Sequence, residues 1–209
     1  MFTGIIETQG VLREIKASAR NIIMWIESSI SRELKVDQSV AHNGVCLTVE
    51  EVNNDMHRVT AIQETLLKST IEAWKIGERI NIERCMPMNG RIDGHIVQGH
   101  VDTCGVCTSI NQNEGSTEYR LRFPERFAHL VIEKGSICIN GISLTAFNVG
   151  IKEVSVAIIP YTFHHTNMKD IREGDLLNIE FDVIGKYIQR WQQVQSTIAN
   201  RDTGISHDI

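Results

Sequence analysis

Short runs in which apolar and polar residues alternate recur along the whole chain. In residues 119–123, Tyr119, Leu121 and Phe123 alternate with charged or polar residues, a pattern typical of a strand with one face in solvent. Comparable runs predict further strands at residues 4–15, 22–27, 58–62, 79–84, 96–110, 155–159 and 176–181. Many short strands and few helical stretches indicate a mainly β chain built as antiparallel barrels.

Two Asn-Gly pairs lie between apolar runs and predict tight hairpins. Asn43-Gly44 is followed by Val45-Cys46-Leu47-Thr48, and Asn140-Gly141 by Ile142-Ser143-Leu144-Thr145. Asn-Gly is the strongest short hairpin signal, and residues two apart in a strand share a face. Each returning strand therefore carries a pair of reactive side chains, unless these small residues merely pack at a barrel end.

The second hairpin motif begins 97 residues after the first, and two other segments repeat with it. Residues 77–83 match residues 174–180 at the same spacing, and residues 4–15 match residues 99–110 at a spacing of 95. A unit of this size can be a domain. The chain is therefore predicted to contain two similar antiparallel barrels that arose by internal duplication.

Helical spacing appears in three places. Residues 66–74 and 163–171, which follow Thr65 and Thr162, are predicted to form short helices, each closed by a glycine shortly after its end. After Asp182, an apolar stripe spaced for a helix of roughly five turns is formed by Ile184, Ile188, Trp191, Val194 and Ile198. That C-terminal helix either docks on its own barrels or binds equivalent helices of other chains, and residues 200–209 form a polar, frayed tail.

Composition and charge exclude several classes of protein. The 209 residues include 42% hydrophobic residues, enough for two small cores, and a net charge of −5 offers no basic surface for nucleic acid. No apolar run reaches the length of about 18 residues that a membrane span needs, so a cytosolic protein is expected. The five cysteines include Cys104 and Cys107, which point to opposite faces of a strand and do not suit a metal site or disulfide.

The differences between the two copies identify candidate chemistry. Ile5 in the first copy corresponds to His100 in the second, and Cys46 corresponds to Ser143. An imidazole exchanges protons near neutral pH, and a hydroxyl can orient water or stabilise an anion. The alternative is that His100 caps a strand end. His95 would face the other side of an unbroken strand, while His164 and His165 are expected in solvent at the start of a short helix.

Four motifs resemble those of riboflavin synthase of the alpha-subunit type, over residues 1 to about 193. They are MFTGIIE at residues 1–7, NGVCLT at 43–48, GHIVQGHVD at 94–102 and NGISLT at 140–145. The resemblance implies two six-stranded Greek-key barrels plus a C-terminal α-helix, and a dismutation of two molecules of 6,7-dimethyl-8-ribityllumazine. One molecule donates four carbons to the other, giving riboflavin and 5-amino-6-(D-ribitylamino)uracil without a metal or cofactor. Asp93, where the family commonly has glycine, departs from the pattern.

The resemblance also implies an organisation of the chain. Residues 1–88 and 89–184 would be lumazine-binding barrels, residues 185–204 a helix that holds a homotrimer, and residues 205–209 a tail. Each active site would lie between the N-terminal barrel of one subunit and the C-terminal barrel of another. Association with lumazine synthase is a further expected partnership.

Carried over residue by residue, the resemblance implies two sets of site residues. The catalytic set is His100, Ser143 and Thr145 in the second copy, Cys46 and Thr48 in the first, and Asp182 before the final helix. The substrate-binding set adds Gly4, Ile5, Ile6, Leu47, Thr60, Ala61, Ile62, Gln63, Glu64, Thr65, Gly99, Val101, Lys134, Leu144, Ala157, Ile158, Ile159, Pro160, Tyr161 and Thr162.

Two other functions are compatible with a duplicated barrel. A non-catalytic lumazine or flavin carrier of the lumazine-protein type has a similar fold, and loss of the second-copy residues would favour it. A plain interaction module leaves the matched hydroxyl and thiol positions unexplained. The retained Ser143 and His100 favour the enzyme.

Overall fold

The computed structural model describes residues 1–202, with side chains described through residue 199, and it contains two closed six-stranded barrels and a long C-terminal helix. The first barrel consists of β1 (Thr8–Ser18), β2 (Asn21–Glu27), β3 (Ser39–His42), β4 (Val45–Asn53), β5 (Met56–Ala61) and β6 (Arg79–Arg84). The second consists of β7 (Thr103–Asn113), β8 (Ser116–Arg122), β9 (Ser136–Ile139), β10 (Ile142–Phe147), β11 (Glu153–Ile158) and β12 (Leu176–Phe181). Both barrels pair their six antiparallel strands in the same order, first-second-fifth-fourth-third-sixth. The predicted fold class and duplication are confirmed.

Strand alternation places one apolar core inside each barrel. Tyr119, Leu121 and Phe123 are all buried, as their spacing predicts, while the intervening Arg120 and Arg122 are exposed. Cys107 also points into this core, whereas Cys104 on the same strand is only half-buried. Burial raises the pKa of Cys107 to about 11, so that its thiol is a neutral core group.

The core of the first barrel contains a polar chain that the second barrel lacks. His42 and His57 are fully buried, with 2.8 Å between their Nε2 atoms, and His57 Nδ1 lies 2.8 Å from Ser31 Oγ. The positions matching the two histidines are Ile139 and Val154, both fully buried in the second core. The duplicated barrels therefore use different chemistry at the same interior positions.

The two predicted Asn-Gly hairpins are confirmed, and they join the barrels. Asn43 and Gly44 have φ values of 48° and 78°, and Asn140 and Gly141 have 46° and 83°, as a type I′ turn requires. The turns lie back to back, because a Cβ added to Gly44 would be 2.7 Å from the backbone nitrogen of Gly141. Glycine is thus required both by the positive φ and by the contact between the turns.

The predicted short helices differ from the structure in position and length. α1 (Gln63–Lys68) and α2 (Pro160–His165) start earlier than predicted, and each is followed by a separate 3₁₀ turn at Ile71–Ala73 or Asn167–Asp170. Thr65 and Thr162 therefore lie inside the helices, and His164 and His165 are exposed at the end of α2, not at its start.

Hydroxyl groups end these helices, so the predicted glycine caps are wrong. Ser69 Oγ donates to the carbonyl of Thr65, and Thr166 Oγ1 to that of Thr162, each at 2.7 Å. The residues after each helix adopt extended backbone, which breaks the helix. Gly77 lies farther on, in the turn that precedes β6.

The C-terminal helix α3 (Val183–Asp202) leaves most of its apolar stripe in solvent. Ile184, Ile188 and Trp191 are 60%, 52% and 65% exposed, so the stripe does not dock on the barrels of its own chain. The predicted tail falls mainly on residues 203–209, which lie outside the described residues. Among residues 1–202, no helix has the length and apolar character needed to cross a membrane.

Candidate active site

Two segments cross between the barrels, where the sequence predicted the beginnings of strands. Phe2 and Val97 pair in a short antiparallel bridge, with N–H to carbonyl distances of 2.7 and 3.0 Å. Beyond the bridge, the carbonyl of Gly4 accepts from Ser143 N and that of Gly99 accepts from Cys46 N, each at 2.8 Å. Each segment therefore lies against the barrel formed by the other copy.

Glycine is essential at both crossing points. Gly4 and Gly99 have φ values of +76° and +79°, in the left-handed region. A Cβ on Gly4 would be 2.6 Å from the Cβ of Ser143, and one on Gly99 would be 2.6 Å from that of Cys46. The absence of a side chain allows each backbone carbonyl to reach the strand that carries the candidate reactive group.

A buried glutamate holds each crossing segment. Glu83, on β6, accepts from Thr3 N, Thr3 Oγ1 and Gly4 N at 2.6, 2.7 and 3.0 Å. Glu180, at the matched position on β12, accepts from the backbone N–H groups of residues 98–100 at 2.7 to 2.9 Å. Burial raises the pKa of Glu180 to about 6, opposed by these hydrogen bonds and by Lys186.

The crossing of residues 97–101 closes a pocket on the first barrel, called here the Cys46 pocket. It has a volume of about 400 Å³. Its lining residues come from both copies: Val45, Cys46, Glu64, Thr65, Lys68, Gly99, His100 and Val101. Burial raises the pKa of the Cys46 thiol, with Ser39 opposing through a hydrogen bond, so Cys46 is a neutral thiol and not a thiolate at neutral pH.

His100 and Ser143 belong to the same copy, but they do not lie in the same pocket. His100 lies in the Cys46 pocket, held there by the bond from its backbone N–H to Glu180. His100 lies there because its segment crosses to the first barrel, where residues of the second copy complete the pocket of the first. Sorting site residues by copy therefore does not sort them by pocket.

The corresponding place on the second barrel, called here the Ser143 site, is formed by β10 and residues 4–6. Ile6 packs against the second barrel's core, as Val101 does against the first. The imidazole here is His95, whose Nδ1 lies 2.7 Å from Ser143 Oγ. Burial lowers the pKa of His95, opposed by the negative charge of Asp182, so the ring is neutral at neutral pH.

Sequence reasoning assigned no role to His95 because it assumed a continuous strand from His95 to His100. The segment instead pairs only at Val97 and turns at Gly99. Gly94 carried the relevant signal, since an added Cβ there would lie 2.8 Å from the Cβ of Ser143. A glycine directly before His95 is consistent with close packing of this segment against β10, but the sequence does not show which strand it packs against. Asp93 is exposed and pairs with Arg91, so it leaves this approach undisturbed.

The side chains of β4 and β10 alternate as predicted. Val45 and Leu47 are buried in the core, while Cys46 is half-buried and Thr48 exposed. On β10, Ser143 is half-buried and Thr145 is exposed. The reactive groups therefore lie on the outer faces of the barrels, beside the crossing segments.

The remaining candidate residues divide by exposure. Large apolar side chains stay exposed at Ile5, Ile62, Ile159 and Tyr161, at 47%, 54%, 60% and 68%. Half-buried or exposed positions are also found at Thr60, Gln63, Pro160, Thr162, Leu144 and Ala157. Leu47, Ala61 and Ile158 point into the cores and can offer a ligand only backbone groups.

Lys134 and Asp182 lie apart from the Cys46 pocket. Lys134 has its ammonium 5.7 Å from the centre of the Phe147 ring, at the end of the β9–β10 hairpin remote from Ser143. Asp182 caps α3 by accepting from Ile184 N at 2.9 Å. It also lines a groove of about 500 Å³ between α3 and residues 129–136. Among the described residues, no group of three or more His, Cys, Asp or Glu side chains could hold a metal ion.

Comparison with known proteins identifies both repeats. A model of the lumazine binding domain matches residues 3–85 and 98–182. A riboflavin synthase from Actinobacillus pleuropneumoniae is 36% identical over 192 residues, covering 91% of this chain and 89% of that protein. Another, from Bacillus subtilis (strain 168), is 34% identical with the same coverage.

Solved structures share the fold at lower identity. LumP complexed with riboflavin has a TM-score of 0.79 and 20% identity, covering 87% of this chain and 99% of that chain. LumP complexed with 6,7-dimethyl-8-(1'-D-ribityl) lumazine has the same TM-score and coverage at 18% identity. These likenesses establish the paired-barrel fold.

Proposed function

We propose that this chain, which belongs to the riboflavin synthase family, converts two molecules of 6,7-dimethyl-8-ribityllumazine into riboflavin and 5-amino-6-(D-ribitylamino)uracil. One lumazine donates a four-carbon unit and the other accepts it. The observation that carries the proposal is the pair of composite sites, which share a backbone arrangement and differ in their reactive groups. In a reaction between two identical molecules, similar sites can bind both molecules, and different reactive groups can make one the donor and the other the acceptor.

Holding two reactants together supplies a large part of the expected acceleration, because a bimolecular step becomes effectively unimolecular. The crossing segments and the strands beside them offer fixed backbone donors and acceptors for the heterocycle. The exposed side chains of Ile5, Ile62, Ile159 and Tyr161 offer apolar surface on which a ring can pack. The 7-methyl protons of lumazine are acidic because the anion delocalises into the ring, so a base of only modest strength is required to remove one.

We further propose a homotrimer held by α3, in which the Cys46 pocket of one subunit faces the Ser143 site of another. The exposed stripe on α3 supports association. Lys134 is absent from the lining of the Cys46 pocket of its own chain, and a neighbouring subunit can use it. Residues 1–88 and 89–184 would then be the two lumazine-binding barrels, residues 185–204 the trimerisation helix, and residues 205–209 the tail.

Cytoplasmic location and association with a lumazine synthase complete the proposal. Five cysteines without disulfides fit a reducing compartment. A complex with an enzyme that supplies the lumazine would shorten the path between the two active sites. Co-sedimentation of the two purified proteins tests this association.

The test is to incubate the purified protein with 6,7-dimethyl-8-ribityllumazine alone. Riboflavin fluorescence should appear, with two lumazines consumed for each flavin formed. Ser143→Ala should lower kcat by about 100-fold or more. Tight binding of lumazine without flavin production would instead identify a carrier of the LumP type.

A further inference from the structure

We propose that His95 is the positioning residue for Ser143, holding its hydroxyl at the angle that the reaction needs. The proposal rests on the function proposed above and adds a residue to one of its two sites. His95 Nδ1 lies 2.7 Å from Ser143 Oγ, and the imidazole is buried, at 8% exposure. The buried imidazole of His95 therefore fixes the rotation of the Ser143 hydroxyl, which lies at the edge of the site.

The surroundings of His95 leave the ring little freedom. Its backbone N–H donates to the carbonyl of Thr3 at 3.1 Å, which ties it to the crossing segment. Gly94 lies so close to β10 that an added Cβ would be 2.9 Å from Ser143 Oγ. The same segment that brings Gly4 to Ser143 thus also brings the imidazole.

The other ring nitrogen makes the arrangement unusual for a structural histidine. His95 Nε2 is buried and has no hydrogen-bond partner within the part of the chain that the structure describes. An unpartnered buried polar atom costs stability, and a histidine that served only the fold would gain from a second partner. The retained cost is understandable if the orientation of Nδ1 toward Ser143 is what the site requires.

The Cys46 pocket lacks this arrangement. Cys46 has Ser39 as its side-chain partner. The imidazole of that pocket, His100, is exposed and lies in the pocket lining, where a ligand can contact it. A buried imidazole fixes the reactive group of one site, whereas an exposed imidazole lines the other. This difference gives the two bound lumazines unlike surroundings.

The experiment is a double-mutant cycle measured by kcat and by lumazine binding. His95→Phe keeps the ring and removes the hydrogen bond, and should lower kcat by about 100-fold while changing the lumazine Kd less than about 3-fold. In a Ser143→Ala background the same change should have little further effect on kcat, because His95 acts through the hydroxyl. In a Cys46→Ala background, the matched control, His95→Phe should still give its full loss.

His95→Asn places an amide near the position of Nδ1 and should recover at least part of the lost kcat, which also covers the case in which His95→Phe fails to fold. Additive losses from His95→Phe and Ser143→Ala would overturn the proposal, as would an unchanged kcat in folded His95→Phe. Failure of the wild-type protein to make flavin would instead overturn the proposed function. The two failures are therefore separate outcomes.

Discussion

Asn81 and Asn178 make equivalent hydrogen bonds across the junction of the two barrels, each to the hairpin turn of the other barrel. Asn81 Nδ2 donates to the carbonyl of Asn140 at 2.9 Å, and Asn178 Nδ2 donates to the carbonyl of Asn43 at 2.8 Å. Both asparagines are 1% exposed. The repeated Asn in the last strand of each copy therefore joins that strand's barrel to the hairpin turn of the other barrel.

Replacing Asn178 by Ala should lower the free energy of unfolding by about 1–3 kcal/mol, because the buried carbonyl of Asn43 loses its donor. Urea denaturation measures the change. Asn113→Ala, on the exposed end of β7, is the control and should stay within about 0.5 kcal/mol of the wild type. Equal effects of the two substitutions would contradict the role given to Asn178.

The contact between the hairpin turns gives a second stability prediction. Gly44→Ala should cost more than Gly115→Ala, although both glycines have a positive φ. A Cβ at Gly115 meets nothing within 4 Å, so it adds only backbone strain of roughly 1–2 kcal/mol. At Gly44 it also meets the backbone of Gly141, which adds about 1–3 kcal/mol. Similar midpoints in urea for the two variants would rule out tight packing of the turns.

The buried histidine pair predicts a loss of stability in acid. Burial lowers the pKa of His57 from 6.5 to about 4. Burial, together with the nearby His57, also lowers the pKa of His42 well below its usual value. A histidine whose pKa is depressed on folding stabilises fully above pH 6.5, and this contribution disappears as the pH falls through about 4. His57 alone accounts for roughly 3 kcal/mol over that window.

The second barrel supplies the control for this prediction. A triple variant, His42→Ile, His57→Val and Ser31→Ala, installs the residues found at the matched positions 139, 154 and 128. It should lose less stability than the wild type between pH 6.5 and 4. Glu180 titrates in the same range in both proteins, so the difference between the two curves isolates the histidines. Parallel curves would show that the pair is not responsible.

The hydrogen bonds between Glu180 and the crossing segment predict an effect on the Cys46 pocket. Glu180→Gln replaces one acceptor oxygen by an NH₂ group that faces backbone N–H donors of residues 98–100. Each lost bond to a charged acceptor is worth about 1.5–3 kcal/mol, so lumazine affinity at the Cys46 pocket should fall by about 10-fold or more. Glu114→Gln, in an exposed turn, should leave binding unchanged. Fluorescence titration with lumazine measures the Kd of both variants. An unaffected Kd in Glu180→Gln would disprove the role of Glu180 in holding residues 98–100 at the pocket.

The exposed stripe on α3 predicts the assembly state. Trp191→Glu should convert the proposed trimer to monomers and lower turnover, since each active site is proposed to lie between two subunits. Gln193→Glu adds the same charge on the opposite face of the helix and should leave the trimer intact. Light scattering on the two variants measures their masses, and a Trp191→Glu protein of unchanged mass would exclude α3 as the contact.

Local patterns were sufficient to predict most of the fold. The bounds of β6 and β12 agree with the predicted runs at residues 79–84 and 176–181, because strand alternation depends only on which face is buried. The Asn-Gly hairpins were found for a similar reason, since the turn type depends on the two residues themselves.

The site could be predicted only in part, because its geometry depends on contacts between residues far apart in the chain. Ser143, Cys46 and the two crossing glycines were identified, but their pairing across copies was not. Gly4 meets Ser143 only after both barrels have formed and the segments have crossed. This long-range contact also explains why the sequence did not indicate which pocket His100 enters, or that His95 lies beside Ser143.

Because the first residues of each copy cross to the other barrel, neither copy alone can form a complete site. An isolated first barrel would have Cys46 but would lack the carbonyl of Gly99 that Cys46 N requires. It could recover an equivalent partner only from residues 2–6 of a second identical molecule, exchanged about a two-fold axis. A single-copy ancestor with a closed pocket would thus have needed to dimerise, and gene duplication would have made that partnership permanent within one chain.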